Sequence, residues 1–582
     1  MRELQAGIAQ LRLPHALSAG ILAIALGLVL ALGLYAIRNQ ISFVWPALPI
    51  PVVAASARRL QRNRQSSSRM WRLNKFYDRA VQRVKGNWAG GGVAGEEFSD
   101  PGHVYARDLH VFGEGSLFEL LCIARTSIGQ RGLAEYLLEA PHLEESRLRQ
   151  EAVRELRERT DLREKLATLG VAEFLESRQD TFDEWLNSPK LPFARPLPVI
   201  AAITSGLLAG IVLAGFDGIV PWISVAIWIL PLVAFHTAVG LFFRNRINRL
   251  LGSLRPVASE TAVLEEGLRL LAEEPFRSDK LRQLAEHVRE GARSMRKLQR
   301  LLNALAQRDK DWFYGPSRVL LAGTQLCMAI EHWRRKHGEA LKVWLRAWAE
   351  FEALNALGAY SYENPDNTFP EFSTDETHFE AHALGHPLLA HGSCVVNDIE
   401  LSRASPFYVI SGSNMSGKST FLRAIGLNAV LAFAGAPVRA HALRLSGLSI
   451  VASMSLVDSL LNGKSKFMAE VDRLRQAIES AAQDRPVLFL VDEIFSGTNS
   501  RDRRIAAESV VRTLVNRGAI GALSTHDLAL TEIASTEGMC GVNVHMGSRD
   551  ERDPMDFDYR LKPGITQEAN ALAIARMAGV PV

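Results

Sequence analysis

The sequence predicts an α/β domain in the C-terminal part of the chain, preceded by an all-α region that two apolar helical hairpins interrupt. Three observations predict this organisation. Residues 412–420 read Gly-Ser-Asn-Met-Ser-Gly-Lys-Ser-Thr, between a strand-like apolar run and a helix-like stretch. Two pairs of long uncharged segments occur before residue 250. Residues 251–360 show the apolar spacing of amphipathic helices.

The first hairpin is predicted within residues 1–57. Ala16–Ile37 contains no charged residue over about 22 positions, close to the ~20 residues that cross a bilayer. A short polar break, Arg38-Asn39-Gln40, separates it from Ile41–Ala57, which is again uncharged but contains three prolines. A cleavable signal peptide is not expected, because Ala16–Ile37 is long for one and a second apolar segment follows at once.

The second hairpin is predicted within residues 191–250. Pro196–Phe216 and Ile219–Phe243 are both apolar, and Asp217-Gly218 separates them. Buried helices of a large soluble protein are the alternative interpretation for both hairpins. Their length and the absence of a polar face favour four membrane spans.

Basic residues flank the hairpins on one side. Arginines cluster at residues 58–64 and 244–249, and Arg195 precedes the second hairpin. In the turns inside the hairpins, Arg38 is the only basic residue. The positive-inside rule therefore predicts a multi-pass protein of the inner or plasma membrane, with both termini and the α/β domain in the cytoplasm.

The bulk composition excludes some classes of protein. The 582 residues carry 67 basic and 63 acidic side chains, a net charge of +4, so the chain is not a polycation that would bind nucleic acid by charge alone. The basic cluster at residues 58–72 follows an apolar segment and is expected to contact anionic lipid. Other local basic clusters, at residues 289–300 and 334–336, are expected to form solvated helix faces. Four cysteines without C-x-x-C spacing argue against a zinc site or a disulfide framework.

The loop at residues 412–420 predicts a site for ATP. Gly412 and Gly417 allow the backbone to curl so that successive N–H groups and the next helix N-terminus point at phosphate oxygens. Lys418 is expected to reach the β- and γ-phosphates, and the Ser419 hydroxyl to bind Mg²⁺. The whole loop is therefore predicted to bind the nucleotide: Gly412, Ser413, Asn414, Met415, Ser416, Gly417, Lys418, Ser419 and Thr420.

Two later apolar runs end in polar residues. Residues 487–491 resemble a buried parallel strand and are followed by Asp492 and Glu493. Asp492 is predicted to hold Mg²⁺, and Glu493 to polarise the water that attacks the phosphate. Residues 519–523 form a second such run, followed by Ser524-Thr525-His526. His526 is a candidate γ-phosphate sensor, and a purely structural histidine is the alternative.

The ordered set of motifs resembles the ATPase domain of the MutS mismatch-repair family. The resemblance rests on the phosphate loop and on three later segments, Ser465–Glu470, Asp492–Ser500 and Ser524–His526. Gly385-His386-Pro387 and Asn397-Asp398-Ile399 before the loop, and Ala573–Pro581 near the end, also resemble the flanks of that domain. Lys466 and Ser416 depart from the usual family pattern of Thr and Gly.

The family resemblance implies an ABC-type composite site in which two ATPase domains sandwich ATP. It implies that Ser465 contacts the γ-phosphate in the partner copy, that the loop at residues 496–500 lies at the interface, and that the chain is a homodimer. It also implies duplex DNA as a partner. No N-terminal mismatch-reading domain with a Phe-x-Glu wedge is found, so mismatch recognition is not implied.

Weaker resemblance extends toward the N-terminus. Phe112–Phe118 and Thr126–Arg131 resemble the start of the helical core of MutS proteins. The expected organisation is a hairpin at residues 1–57, the first part of the core at 58–190, a second hairpin at 191–250, the rest of the core and its lever at 251–362, and the ATPase domain at 363–582.

Two functions remain open from the sequence. The first is a membrane-anchored, Mg²⁺-dependent MutS-like ATPase whose cycle controls DNA binding in mismatch repair or recombination. The second is an ABC-like mechanochemical ATPase that moves the hairpins or a protein partner without DNA. A membrane scaffold that binds ATP without hydrolysis is a third possibility, and the presence of Lys418, Asp492 and Glu493 argues against it.

Overall fold

The computed structural model describes residues 2–39, 45, 48–169, 181–189, 196–216, 219–307, 320–374, 376–454, 466–482, 485–496, 499–550 and 553–566. In these residues the α-helices, labelled α1 to α14 in chain order, are Arg2–Asn39, Ile50–Val84, Leu117–Leu121, Ser127–Leu138, Leu143–Arg157, Thr160–Ala167, Thr181–Asn187, Leu197–Phe216, Trp222–Glu273, Asp279–Gln307, Ala322–Glu363, Lys418–Ala434, Lys466–Ser480 and Ser500–Asn516. The strands, labelled β1 to β12, are Glu371–Phe372, His378–Leu384, Asn397–Ser402, Phe407–Ser411, Ala442–Leu445, Ser449–Ser453, Val487–Asp492, Ile520–Thr525, Val542–His545, Ser548–Asp550, Asp553–Phe557 and Lys562–Pro563.

Three of the described helices contain a segment long and apolar enough to cross a membrane. These segments are Ala16–Tyr35 in α1, Leu197–Gly215 in α8 and Trp222–Arg244 in α9. They coincide with three of the four spans that the sequence predicts. The fourth, residues 41–57, lies partly outside the described residues, and its last part opens α2, which continues from Ile50 to Val84.

Helix α9 crosses the predicted boundary between the second hairpin and the helical core. It is 52 residues long and continues from the apolar segment that begins at Trp222 to Glu273. Its C-terminal half packs against α10 and α11, and it buries Leu264, Leu268 and Leu271, which recur at helical spacing. The apolar segment and the part of the helical core that directly follows it therefore belong to one continuous helix.

Close packing of α4 against α11 depends on two glycines. A Cβ atom on Gly129 would lie 2.1 Å from the Glu352 carboxylate, and one on Gly132 would lie 2.4 Å from the Ala349 carbonyl oxygen. Around them, the Trp348 indole N–H donates to the Thr126 hydroxyl at 3.1 Å. The first part of the core, near the Thr126–Arg131 motif, is thus packed directly against the last core helix.

We expect Gly132→Ala to destabilise the protein by about 1–3 kcal/mol, because the new methyl group meets backbone rather than a movable side chain. Gly252→Ala is the matched control, since Gly252 is also helical and has nothing within 4 Å of its Cβ position. Thermal unfolding of both variants checks the prediction. Equal midpoints for the two variants would contradict the packing described here.

Glu352 is a buried carboxylic acid in the same contact. Burial raises its pKa to about 7, although hydrogen bonds from the Thr126 hydroxyl and the Arg125 backbone N–H favour the charged form. The folded protein therefore binds this proton more tightly than the unfolded chain. The resulting stabilisation is complete below the unfolded pKa and is lost as the pH rises through about 7.

We therefore expect the wild-type protein to lose about 3 kcal/mol of stability between pH 4.5 and pH 7 that Glu352→Gln does not lose. Urea unfolding of the two proteins at several pH values measures the difference. Glu371→Gln serves as the control, because Glu371 is exposed. Parallel pH profiles for wild type and Glu352→Gln would exclude the proposed titration.

The α/β domain contains a six-stranded sheet in the order β12-β9-β4-β8-β7-β6. Strands β9, β4, β8, β7 and β6 are parallel, and β12 is antiparallel to β9 at one edge. A second sheet has four strands in the order β1-β5-β2-β3. Three of these strands precede the phosphate loop in the sequence, and β5 follows it. The C-terminal ends of parallel strands lie at one edge, which is where open α/β sheets bind ligands.

The helical region and the α/β domain share one hydrophobic core. A Cβ atom on Gly426 of α12 would lie 2.6 Å from the Leu109 side chain, so this glycine permits close contact. The Ser146 hydroxyl of α5 donates to the Phe433 carbonyl oxygen at the end of α12, at 3.1 Å. The helix that follows the phosphate loop is therefore packed directly on the helical core.

Candidate nucleotide-binding site

The phosphate loop lies between β4 and α12, in the strand-loop-helix arrangement that the sequence predicts. Gly412 and Gly417 have φ angles of +148° and +101°. A Cβ atom on Gly412 would lie 2.3 Å from the Met546 carbonyl oxygen, and one on Gly417 would lie 2.9 Å from the Tyr559 ring. Both positions therefore require glycine for conformation and for space.

Lys418 begins α12 and is buried. Its ammonium group donates to the carbonyl oxygens of Gly412 and Ser413 at 2.8 Å and 2.7 Å. Burial lowers the pKa of Lys418, and the negative charges of Asp492 and Glu493 oppose that shift. The side chain is folded across the loop, with its charge where phosphate oxygens are expected.

The other loop residues divide into an exposed tip and buried hydroxyls. Asn414 and Met415 form the tip, and Met415 is 73% exposed with a φ of +71°. The hydroxyl oxygens of Ser413 and Ser416 are buried without a hydrogen-bond partner among the described residues. Unpartnered buried donors beside two glycine positions suit a loop that receives phosphate oxygens.

The first turn of α12 also contains the two hydroxyl residues that end the motif. Ser419 is half-buried and Thr420 is exposed. At the same edge of the sheet, Asp492 ends β7 and its carboxylate accepts a hydrogen bond from the Ser524 hydroxyl at the end of β8. Hydroxyl and carboxylate oxygens are the ligands that Mg²⁺ prefers.

The described residues contain no group of three or more His, Cys, Asp or Glu side chains that could hold a metal by itself. A Mg²⁺ ion at this edge would therefore need nucleotide phosphates to complete its ligands, as is usual for nucleotide-bound Mg²⁺. The donor types present at Ser419 and Asp492 fit that requirement.

Glu493 directly follows β7 and His526 directly follows the neighbouring strand β8, and their side chains lie close together. His526 Nδ1 lies 3.2 Å from Glu493 Oε1, and both side chains are partly exposed. Glu493 has a φ of +53°, and its backbone N–H donates to the Ser524 carbonyl oxygen at 3.1 Å. A non-glycine residue in the left-handed region often marks a functional site.

The segment after Glu493 is tied to two helices. The Phe495 backbone N–H donates to the Glu470 carboxylate of α13, and the Arg503 guanidinium of α14 donates to the carbonyl oxygens of Phe495 and Ser496, each at 2.9 Å. The Asn499 side chain caps α14. Gly497 and Thr498 lie outside the described residues.

Ser465 also lies outside the described residues, so its role in the partner copy remains a prediction, as does any role of residues 573–581. The structure brings together the other predicted groups at the C-terminal edge of the sheet: the phosphate loop, Asp492, Glu493 and His526.

Several residues that form the site have no local signal in the sequence. The Met546 carbonyl and the Tyr559 ring close over the two loop glycines. Asn397 holds the Tyr559 segment, because its side chain donates to the Tyr559 carbonyl at 3.0 Å and accepts from the Leu561 N–H at 2.7 Å. The Asn397-Asp398-Ile399 motif indicated a relevant position, but its partner is distant in sequence.

A second buried network connects Gly385-His386-Pro387 to α12. The Asn428 side chain donates to the Gly385 carbonyl oxygen at 2.9 Å and accepts from the Arg439 N–H at 2.8 Å. The Arg439 guanidinium donates to the His386 carbonyl at 3.1 Å. Burial lowers the pKa of His386 to about 4, so this histidine is neutral at physiological pH and has a structural place beside the loop helix.

Comparison with known proteins agrees with this architecture. Residues 408–582 match the family model described as MutS domain V. The chain is similar to the "DNA mismatch repair protein MutS" of three organisms. It is 29% identical to that of Lactobacillus johnsonii over 253 residues, 42% of this chain and 29% of the relative. It is 31% identical to that of Lactobacillus helveticus over 240 residues, 40% of this chain and 28% of the relative.

The similarity reaches beyond the lactobacilli. The chain is 31% identical to the "DNA mismatch repair protein MutS" of Natronomonas pharaonis over 247 residues, 42% of this chain and 28% of the relative. The matched region therefore spans less than a third of the length of each of these relatives. The C-terminal residues 408–582 are therefore similar to MutS domain V, and about two fifths of the chain is similar to proteins named MutS.

Proposed function

We propose that this chain is a Mg²⁺-dependent ATPase anchored to a membrane, and that ATP binding and hydrolysis control the shape of its helical core. The observation that carries the proposal is that three groups lie at one edge of the sheet. They are the phosphate loop with its buried lysine, Asp492 with its hydrogen bond from the Ser524 hydroxyl, and the Glu493–His526 pair. These are the groups that phosphoryl transfer requires for positioning and charge stabilisation.

Each group has a role in this proposal. Lys418 exchanges its loop carbonyls for β- and γ-phosphate oxygens, since its charge is already held at that position. Ser419 and Asp492 would hold Mg²⁺, which would neutralise part of the phosphate charge. Glu493 orients the attacking water and accepts its proton, and the nearby His526 contacts the γ-phosphate.

The site is proposed to be completed by a second copy of the chain. Glu493 and His526 are partly exposed at the sheet edge, and Met415 is 73% exposed at the tip of the loop. Exposed catalytic groups suit closure by another ATPase domain, which would exclude water and add donors around the γ-phosphate. Ser465 and the 496–500 loop are the segments proposed to supply that contact.

DNA is the first candidate for what the cycle acts on. The support is the similarity of 40–42% of this chain to proteins named for DNA mismatch repair. The second candidate is a membrane or protein partner. It is favoured by α9, which joins an apolar segment to the helical core without interruption, so movement of the core would be transmitted to that segment.

Measuring ATP hydrolysis by the full-length protein in detergent, with no DNA and with duplex, mismatched or branched DNA at two salt concentrations, separates these candidates. Lys418→Ala gives the blank. Stimulation by DNA that weakens at higher salt supports a DNA-acting ATPase. A rate that DNA leaves unchanged supports the membrane or protein partner, and a rate equal to the blank contradicts the ATPase proposal.

A further inference from the structure

A cavity of about 400 Å³ lies between helices α4, α7, α9 and α11 of the helical region. Its volume falls within the range of about 300–1,000 Å³ that small-molecule sites occupy. Part of its wall is apolar and is formed by Ile128, Phe182, Leu345 and Ala349. The rest of the lining is polar or charged, and none of the lining residues belongs to the nucleotide site.

Glu260 of α9 is the most deeply buried charged residue in this wall, with 4% exposure. Its Oε1 accepts a hydrogen bond from the Ser127 hydroxyl at 3.0 Å. Its Oε2 is buried and has no hydrogen-bond partner among the described residues. A buried carboxylate without a positively charged partner is costly, so the cavity beside Glu260 is where such a partner is expected.

The start of α4 favours the ionised form of Glu260. Ser127, which donates to Glu260, is the first residue of this 12-residue helix. The N-terminus of a helix carries a partial positive charge, which stabilises a nearby carboxylate. The helix end and one hydroxyl supply only part of what a buried carboxylate needs, because neither provides a full positive charge.

The basic residues of the wall have carboxylate partners of their own. Their ion pairs are Arg131–Asp183 at 3.0 Å, Lys342–Glu339 at 3.1 Å and Arg346–Glu350 at 3.6 Å. The side chains of Lys342 and Arg346 are also 51% and 81% exposed, so their charges lie in solvent and not beside Glu260. The positive charge of the wall is therefore already balanced.

Two further carboxylates lie at the exposed end of the cavity. Glu135 and Glu139 are both exposed, and they are four residues apart at the C-terminal end of α4. Carboxylates at this spacing repel each other, and the helix C-terminus adds partial negative charge. Neither residue forms an ion pair with another residue that the structure describes. Excess negative charge therefore lies at both ends of the cavity.

The separation of these charges indicates the kind of cation that fits. Ser127, which marks the position of Glu260, is eight residues before Glu135 on α4, which corresponds to about 12 Å along the helix. Within the described part of the chain, no group of three or more His, Cys, Asp or Glu side chains could hold a metal ion. Separated carboxylates with apolar residues between them instead match a ligand whose positive charges are joined by methylene groups.

We propose that this cavity binds a linear polyamine, with one ammonium group paired with Glu260 and another at the rim formed by Glu135 and Glu139. The methylene chain between them lies on the apolar part of the wall, where its burial is favourable. Glu260 belongs to α9 and Glu135 to α4. The bound amine therefore links the helix that carries an apolar segment to the first part of the helical core.

The test uses the full-length protein in a neutral detergent and without nucleotide, because ATP itself binds polyamines. Spermidine is titrated at constant ionic strength, and both the heat of binding and the midpoint of thermal unfolding are recorded. Putrescine, a diamine too short to reach from Glu260 to the rim, and Mg²⁺ are the comparison cations. Glu260→Gln and Glu135→Gln are compared with Glu273→Gln, because Glu273 is exposed on α9 and does not line the cavity.

We expect spermidine to raise the unfolding midpoint to a plateau and to bind more tightly than putrescine or Mg²⁺. Glu260→Gln should weaken spermidine binding by about tenfold or more and Glu135→Gln by about threefold, with Glu273→Gln unchanged. Glu135 is exposed, so its variant keeps the test valid if Glu260→Gln fails to fold. No binding of spermidine, equal binding of spermidine and Mg²⁺, or equal affinities of Glu135→Gln and Glu273→Gln would overturn the proposal.

Discussion

Replacing Glu493 with Gln is expected to leave ATP binding intact and to reduce turnover by about 100-fold or more. Glutamine keeps the shape of the side chain and the left-handed backbone, but it cannot accept a proton from the attacking water. The partner 3.2 Å away, His526 Nδ1, would then face an amide instead of a carboxylate. Because ATP stays bound, the variant should also accumulate as a closed dimer.

Equilibrium binding of ATP, single-turnover hydrolysis and the sedimentation of the Glu493→Gln protein measure these three effects. Glu532→Gln is the control, because Glu532 lies in the same domain and forms an exposed ion pair with Arg504. Hydrolysis by Glu493→Gln at the wild-type rate would show that another group activates the water.

Lys418→Ala is expected to weaken ATP binding by about 10- to 100-fold, which corresponds to hydrogen bonds from a charged donor. In the wild-type protein the ammonium group is buried and held 2.8 Å and 2.7 Å from two loop carbonyls, so its charge lies inside the loop that we propose binds phosphate. Alanine removes that charge and leaves the carbonyl oxygens of Gly412 and Ser413 to repel the nucleotide.

Isothermal titration with ATP and Mg²⁺ checks this prediction. Arg444→Ala is the control, because Arg444 is exposed on β5 in the separate four-stranded sheet. If Lys418→Ala and Arg444→Ala bound ATP equally well, the loop would not be the nucleotide site.

Local features of the site could be predicted from the sequence because they depend on neighbouring residues. The glycine spacing, the strand before the loop and the helix after it are consecutive in the chain, and β7 ends at Asp492, the residue predicted to follow the strand. The proximity of Glu493 to His526 could not be read in this way, because it requires β7 and β8 to be neighbours in a sheet whose order is not sequential.

Other features of the site and of the helical region could not be predicted from the sequence, because they depend on contacts between distant segments. The Met546 carbonyl and the Tyr559 ring restrict the two loop glycines, yet neither has a recognisable motif. The sequence predicts that the basic cluster at residues 58–72 contacts anionic lipid, whereas Arg72 is buried inside the protein. Helical periodicity alone did not indicate this burial, because it depends on the Thr168 segment after α6.

The helix boundaries show the same limit. The sequence predicts that the second hairpin ends at residue 250, but α9 continues to Glu273 because its amphipathic C-terminal half packs against α10 and α11. A change from apolar to amphipathic composition marks a change of surroundings, and it does not need to mark the end of a helix.

The most direct test of the central claim is the rate of Mg²⁺-dependent phosphate release from ATP by the full-length protein, measured per chain over a range of protein concentrations beside Lys418→Ala. A site completed by two copies predicts a rate per chain that rises with concentration to a plateau and is absent from Lys418→Ala. A rate per chain that does not change with concentration would contradict the composite site. A rate no higher than that of Lys418→Ala would contradict ATP hydrolysis at this loop.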